Sequence, residues 1–349
     1  MVSPSLQELL GIELPLIQAP MAGVQGSALA VAVSNAGGLG SLPCATLGPE
    51  AMREELTAIR TQTKRPFNVN FFCHPVPKPS TERETAWRSA LAPYFAELGI
   101  DPNATPAAPA RSPFSIEAAQ VLGDFRPAVV SFHFGLPSED LLGRVHAMGA
   151  KILSTATTVE EALWLEARGV DAVIAQGLEA GGHRGMFLSQ DLNTQVGTLA
   201  LVPQIVEAVE VPVIAAGGIA DAKGVAAAMA LGAAGVQVGT AYLLCTETTT
   251  TGLHRAALKS EAGRQTALTN LFTGRPARSI VNRLMRELGP IRESTPEFPL
   301  AMAAVAPLRE KAESLGRDEF SPLWAGQNTT GCREVSAALL TSELARGIG

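Results

Sequence analysis

The stretch 170–185, VDAVIAQGLEAGGHRG, combines residue types that could bind a ligand and move a proton. It begins as an apolar run, after which Gln176, Glu179, His183 and Arg184 follow among four glycines. Glycine lets the backbone approach a ligand closely, and an imidazole can act as a base near neutral pH. α/β proteins place their chemistry in such loops at the carboxyl edge of a parallel sheet. The alternative reading is a tight turn that carries a surface histidine.

Other predicted strands also end in polar residues or glycines. Two of these ends, Gly217-Gly218 and Gly239-Thr240, present backbone N–H groups that could bind a phosphate without a lysine. A tight turn is the alternative for each of them taken singly. Five further candidates at strand ends are Ala19, Pro20, Met21, Asn70 and Gln176. A second histidine, His133, ends the fourth strand, where a packing role is the alternative.

The ligand that these residue types suggest has one phosphate and a flat polar-edged ring. Flavin mononucleotide (FMN) has both, since amide side chains can read the ring edge while the apolar first strand backs its face. No G-x-G-x-x-G follows the first strand, so a dinucleotide-binding fold is not supported.

Elements that could position these residues alternate along the chain. Apolar strands are predicted at 15–22, 39–44, 67–73, 128–134, 151–155, 172–174, 212–216 and 235–238. Helical patterns separate most of them, which predicts a (β/α)8 TIM barrel. An open doubly wound sheet is the competitor. The barrel is preferred because the count reaches eight and the glycines follow strands seven and eight, where barrels often bind phosphate.

Two segments interrupt this alternation and predict a second domain. Residues 75–112 are rich in proline around one predicted helix at 81–98, and residues 241–331 are helical but irregular. We expect them to form a smaller, mainly helical domain that covers the substrate at the barrel mouth. The FMN-binding barrel would then comprise residues 1–74, 113–240 and 332–349, with the amphipathic segment 332–346 as its eighth helix.

Composition narrows the possible partners and location. The 349 residues carry a net charge of −6 with no basic stripe, which argues against nucleic-acid or membrane binding. The amino terminus has no basic region followed by a long apolar run. The four cysteines lie far apart, so neither a metal site nor a disulfide is predicted. We expect a cytoplasmic protein with a small-molecule substrate, and a homodimer is compatible with the sequence.

Six stretches in order resemble the nitronate monooxygenases of class I, formerly called 2-nitropropane dioxygenases. They cover nearly all of the predicted barrel and are QAPMAGVQGSALAVAVSNAGGLGSLP (18–43), FNVNFF (67–72), VVSFHFGLP (129–137), IAQGLEAGGHRG (174–185), PVIAAGGIAD (212–221) and GVQVGTAYLLCTE (235–247). The resemblance implies an FMN-dependent flavoprotein that oxidises alkyl nitronates, such as propionate 3-nitronate, with O2, a reaction that detoxifies nitroalkanes.

The resemblance also implies site residues. His183 would be the active-site histidine and His133 a second catalytic residue. The implied FMN contacts are Ala19, Pro20, Met21, Asn70, Gln176, Gly181, Gly218, Gln237, Val238, Gly239 and Thr240, to which the phosphate-binding glycine pair adds Gly217.

The carboxyl-terminal segment departs from the family pattern. Class I members carry several tyrosines and a lysine there, whereas this chain has only Tyr94 and Tyr242. The segment offers His254, Phe272, Phe298, Met302 and Arg309 instead. A carboxylate on the substrate would need a cationic partner, and the candidates are Arg275, Arg278, Arg283 and Arg309. The departure concerns the nitro substrate and leaves the flavin site unchanged.

Two alternative functions remain open on the same barrel. One is an FMN-dependent NAD(P)H reductase of quinones or enoyl thioesters, since flavin-site motifs do not separate the two chemistries. The other is a flavin-binding or phosphate-binding sensor without catalysis, against which a histidine on a glycine loop at the barrel mouth argues. A barrel like that of IMP dehydrogenase shares the glycine-rich phosphate site, but no cysteine lies in the loop at 181–185.

Overall fold

A computed structural model describes residues 5–101 and 111–348 and contains an eight-stranded parallel barrel. Hydrogen bonds connect its strands in the order β1-β9-β8-β6-β5-β4-β3-β2, and a bridge between Ile17 and Leu39 closes the ring. The predicted TIM barrel is confirmed. The barrel strands are β1 (Leu16–Gln18), β2 (Gly40–Pro43), β3 (Phe67–Phe72), β4 (Val129–His133), β5 (Lys151–Ala156), β6 (Ala172–Gln176), β8 (Val213–Ala216) and β9 (Gly235–Val238).

Most residues of the barrel strands are apolar because both faces of each strand are buried. In β6, Val173 and Ala175 pack towards the surrounding helices, whereas Ala172 and Ile174 belong to a separate cluster inside the barrel. The first helix contributes Leu6 and other apolar side chains to the inner cluster. The barrel interior is therefore a packed core, and its carboxyl end is left to carry the site.

Helices follow the barrel strands and cover them. The helices are α1 (Leu6–Leu10), α2 (Ser27–Asn35), α3 (Pro49–Gln62), α4 (Thr81–Leu98), α5 (Ile116–Phe125), α6 (Glu139–Ala147), α7 (Val159–Glu166), α8 (Thr198–Ala208), α9 (Ala222–Ala230), α10 (Gly252–Lys259), α11 (Arg283–Leu288), α12 (Met302–Ser314) and α13 (Ala337–Ala345). Helix α13 lies between α2 and α9, and a hydrogen bond of 2.8 Å between the Tyr242 and Thr341 hydroxyls holds it. It therefore fills the place of the eighth barrel helix. No helix in the described ranges is long and apolar enough to span a membrane.

The two segments that interrupt the barrel pack against each other. Trp87 and Leu91 of α4 share a buried cluster with Leu284, Leu308 and Phe320 from the later segment. This contact supports the proposed division into a barrel and a covering domain. Residues 102–110, with three of the prolines in the first segment, lie outside the described residues.

The later segment also contributes to a small sheet that the helical patterns do not predict. Strand β11 (Ala277–Ile280) pairs antiparallel with β10 (Thr266–Thr269) on one side. On the other side it pairs with β7 (Gly182–His183), with Ala277 opposite His183. The covering segment is therefore joined by strand pairing to the loop that carries the candidate base.

Candidate active site

A cavity opens at the carboxyl ends of the barrel strands and brings the predicted site residues together. Of the fourteen predicted residues, thirteen line it: Ala19, Pro20, Met21, Asn70, His133, Gln176, Gly181, His183, Gly217, Gly218, Gln237, Gly239 and Thr240. Val238 does not line it, because successive side chains of a strand point to opposite faces and Val238 packs towards the helices. Its carbonyl accepts the N–H of Ala19 at 2.8 Å.

His183 is held on β7 by contacts to its backbone and its ring. Its carbonyl accepts hydrogen bonds from the Gln176 side-chain amide at 3.0 Å and from Nε2 of His133 at 3.1 Å. Its own Nε2 lies 3.0 Å from the Thr273 hydroxyl. Because His133 donates through Nε2, its Nδ1 accepts from the Thr155 hydroxyl at 3.0 Å, as a neutral imidazole does. His133 and Gln176 thus position the loop of His183.

Arg184 also holds the loop that carries His183 in place. Its side chain is fully buried and donates to the carbonyls of Gln176 and Gly177, each at 2.7 Å, and to Oε1 of Gln195 at 2.9 Å. These bonds give the buried Gln176 carbonyl a donor and add a second donor to the Gly177 carbonyl, which also accepts the N–H of Ala180 at 3.1 Å. Arg184 is therefore a positioning residue and is not among those that line the cavity.

Aromatic rings surround the His183 imidazole. The ring centroids of Phe298 and Trp324 lie 5.3 Å from it, and those of Phe72 and Phe134 lie at 6.0 Å. Burial among these rings, reinforced by the nearby Arg111 guanidinium, holds the pKa of His183 well below its usual value. The imidazole is consequently neutral at physiological pH and available as a proton acceptor.

Four histidines share this behaviour, which makes the folded protein sensitive to acid. Burial is the main cause that lowers the pKa of His133 to about 3, of His74 and His254 to about 4, and of His183. The unfolded chain binds protons below pH 6.5 while the folded chain does not, so stability falls as pH falls. Urea unfolding at pH 7.5 and 5.0 should show a loss of about 2 kcal/mol per histidine.

A His254→Gln variant isolates the histidine contribution to this loss. It should reduce the difference between the two pH values by about one quarter, since one of the four contributions is removed. Equal free energies of unfolding at pH 7.5 and 5.0 in the parent protein would show that these imidazoles protonate freely in the folded state.

The glycines after β8 and β9, the seventh and eighth barrel strands, form a cradle of backbone donors. Gly217 and Gly218 have φ values of 120° and 74°, which side-chain-bearing residues rarely adopt. Within residues 5–101 and 111–348, the N–H groups of Gly217, Gly218, Gly239 and Thr240 donate to no protein acceptor. Successive free N–H groups facing a cavity are suited to bind a phosphate.

The covering segment completes this cradle. The Thr240 hydroxyl accepts the N–H of Gly326 at 2.9 Å, and the Asn328 side chain donates to the carbonyl of Gly218 at 3.0 Å. Both Gly326 and Asn328 line the cavity, and no pattern in the sequence singles them out. Their residue types are common in loops, and only the packing of the covering segment brings them to the barrel.

The residue types in this cavity suit the phosphate-bearing flavin that the sequence predicts. The cradle supplies donors for its phosphate, and Oε1 of Gln237 is a buried acceptor without a partner among the described residues. An N–H on the edge of the isoalloxazine ring could donate to that oxygen. Ala19, Pro20 and Met21 would provide the apolar backing for the ring.

The four arginines that the sequence offered for a substrate carboxylate have other partners. Arg278 donates to the Leu178 carbonyl at 2.9 Å, and Arg275 binds the Met186 carbonyl and lies over the Phe134 ring. Arg283 pairs with Glu97 and Glu287, and Arg309 pairs with Glu313, all three at 2.7 Å. None of the four lines the cavity, whereas Arg111, which the sequence patterns did not single out, does.

The segment that departs from the class I pattern contributes only part of what was expected of it. His254 lines the cavity and Phe298 packs against His183. Phe272 instead packs against Trp324, at 5.7 Å between centroids, and Met302 begins α12 outside the cavity. Trp324, which lines the cavity beside His183, was not predicted.

A closed (β/α)8 barrel with free backbone N–H groups after its last two strands and a neutral histidine among aromatic rings is typical of barrel enzymes that bind a phosphate-bearing ligand. The model of the nitronate monooxygenase family matches residues 3–347. The chain belongs to the nitronate monooxygenase family, whose members are flavin-dependent oxidoreductases.

Individual relatives support this assignment over the whole chain. The nitronate monooxygenase of Pseudomonas aeruginosa is 43% identical over 341 residues, which is 96% of each chain. That of Paraburkholderia phytofirmans is 42% identical over 98% of this chain and 94% of its own. The solved nitroalkane oxidase of Streptomyces ansochromogenes superimposes with a TM-score of 0.88 at 40% identity, covering 99% and 98% of the two chains. FabK from Thermotoga maritima has a TM-score of 0.72 at 26% identity over 99% and 96%.

Proposed function

We propose that this protein binds FMN and oxidises alkyl nitronates, such as propionate 3-nitronate, and nitroalkanes with O2. The products would be the carbonyl compound and nitrite or nitrate. The observation that carries the proposal is the juxtaposition in one cavity of the free N–H groups at Gly217–Gly218 and Gly239–Thr240 with the neutral imidazole of His183. Bound FMN would accept the electrons of the substrate and pass them to O2.

His183 would act differently on neutral nitroalkanes and on nitronate anions. A neutral nitroalkane must lose its α-proton, and the unprotonated imidazole of His183 could accept it. A nitronate is already an anion, so His183 would orient its oxygens instead. The rings of Phe72, Phe298 and Trp324 surround the imidazole of His183, and such apolar surroundings would strengthen its electrostatic interaction with a bound substrate.

The experiment that tests the function measures cofactor and oxygen together. Flavin released from the purified protein by heat is identified by chromatography, and an oxygen electrode follows the reaction with propionate 3-nitronate and ethyl nitronate. We expect FMN at close to one per chain and O2 uptake that matches loss of the nitronate absorbance. Bound FMN with no O2 uptake on any nitronate would contradict the proposed reaction.

A further inference from the structure

Arg111 places an uncompensated positive charge at the active-site cavity. Its side chain lines the cavity, and its Nε is buried without a hydrogen-bond partner among the described residues. No carboxylate in the described ranges pairs with it, and the charged group that most affects it is a second cation, Arg309. Burial lowers the pKa of Arg111 to about 10, so the guanidinium remains charged at neutral pH.

The segment around Arg111 is tied to the barrel. The Arg111 carbonyl accepts from Nε2 of His74 at 3.2 Å, and the N–H of Phe114 donates to the Phe72 carbonyl at 2.8 Å. The Arg111 guanidinium carbon lies 6.0 Å from the centroid of the Phe298 ring. The same ring lies 5.3 Å from the His183 imidazole. Arg111 and His183 therefore both neighbour Phe298 without binding each other.

The Arg111 side chain is half-buried, and the residues that the structure describes supply no counter-charge for its guanidinium. Removing an ion from water without a partner is costly, and a buried arginine is normally paired. Arg309, the charged residue that most affects the pKa of Arg111, has such a partner in Glu313 at 2.7 Å. The partner of Arg111 is therefore expected to arrive with a ligand, and the planar guanidinium matches a carboxylate through two parallel hydrogen bonds.

We propose that Arg111 determines substrate specificity by binding a carboxylate at the end of the substrate remote from the carbon that is oxidised. The preferred substrates would be nitronates that carry a second anionic group, which sits at Arg111 while the nitronate lies by His183. This inference rests on the proposed function and assigns a role that no arginine singled out in the sequence fulfils.

The test compares two nitronates that differ only in the carboxylate. Propionate 3-nitronate carries it, and propyl-1-nitronate has a methyl group in its place. In Arg111→Met we expect the KM for propionate 3-nitronate to rise about 10- to 100-fold, the range for loss of a hydrogen bond to a charged group. The KM for propyl-1-nitronate should change by less than about 3-fold. The kcat for each of the two nitronates should also change by less than about 3-fold.

Two further variants serve as controls. Arg111→Lys keeps the charge but not the paired donors, so it should retain part of the preference for the carboxylated substrate. Arg309→Met removes a neighbouring charge that is already paired with Glu313 and does not line the cavity, so it should leave the preference unchanged. FMN content reports whether each variant folds.

Equal losses on both nitronates in Arg111→Met would overturn the proposal, because Arg111 would then act on the nitronate or on the fold. Unchanged KM values would overturn it as well. Failure of the wild type to oxidise either nitronate would count against the proposed function instead. In that event, perturbation of the flavin absorbance by succinate and butyrate tests Arg111 alone: succinate should bind more tightly than butyrate to the wild type, and Arg111→Met should abolish the difference.

Discussion

His183→Asn should retain FMN and lose about 10²- to 10⁴-fold in kcat/KM for nitroethane, the range for removal of a general base. The asparagine side chain can still form a hydrogen bond with the Thr273 hydroxyl, but it cannot take up a proton. The loss should be much smaller for ethyl nitronate, which has already lost the acidic α-proton of nitroethane. Oxygen uptake with the two substrates, measured on preparations of equal flavin content, gives the comparison directly.

The matched control for this variant is His146→Asn on the exposed face of α6. It removes an imidazole far from the cavity-lining residues and should leave both activities unchanged. Undiminished oxidation of nitroethane by His183→Asn would refute the role of His183 as the base. An equal loss on nitroethane and on its nitronate would assign His183 to binding rather than to proton transfer.

Gly239→Val should weaken FMN binding by at least about 100-fold, as expected when two hydrogen bonds to a charged phosphate are lost. The φ of Gly239 is −116°, so valine can adopt the backbone conformation. The expected loss of FMN therefore comes from steric crowding by the valine side chain. A Cβ at this position would lie 3.3 Å from the Cβ of Ala19 and 3.7 Å from the sulfur of Met21. The branches of valine would therefore crowd Ala19 and Met21, and we expect them to keep a phosphate away from the N–H groups of Gly239 and Thr240.

The flavin content of the purified variant and an FMN titration of the apoprotein measure this effect. Gly143→Val is the control, since a Cβ at Gly143 meets no other atom within 4 Å and Gly143 lies on α6 away from the cavity. A Gly239→Val protein that purifies with full flavin would place the phosphate elsewhere. If the variant is folded but lacks flavin, the cradle assignment is supported.

The barrel and most of its site could be predicted from sequence because both depend on local patterns. Strand β6 is apolar on both faces, and its loop then changes composition within a few residues, so the position of Gln176 and His183 at a strand end was evident. The position of Gly217 and Gly218 at a strand end could be predicted for the same reason. The resemblance to a known family supplied Gly181 and Gln237.

The rest of the site depends on contacts between distant parts of the chain. Strand β7 has two residues, and nothing in Gly182-His183 indicates that it pairs with Ala277 and Arg278. Arg111 follows a proline-rich segment in which no periodic pattern indicates where a side chain will lie. Trp324 and Asn328 reach the cavity only through the packing of the covering segment. Sequence reasoning accordingly chose arginines that already have partners within the protein and overlooked the one at the cavity.

The central claim, that nitronate is the reductant of the bound flavin, is tested most directly by an anaerobic titration of the purified protein. Propionate 3-nitronate is added to one sample and NADH to another, and the flavin absorbance is followed in both. We expect the nitronate to bleach the flavin and air to restore it, while NADH leaves it oxidised. Rapid bleaching by NADH with no response to the nitronate would contradict the account and make the protein an NAD(P)H-dependent reductase, with quinones or enoyl thioesters as the substrates to test.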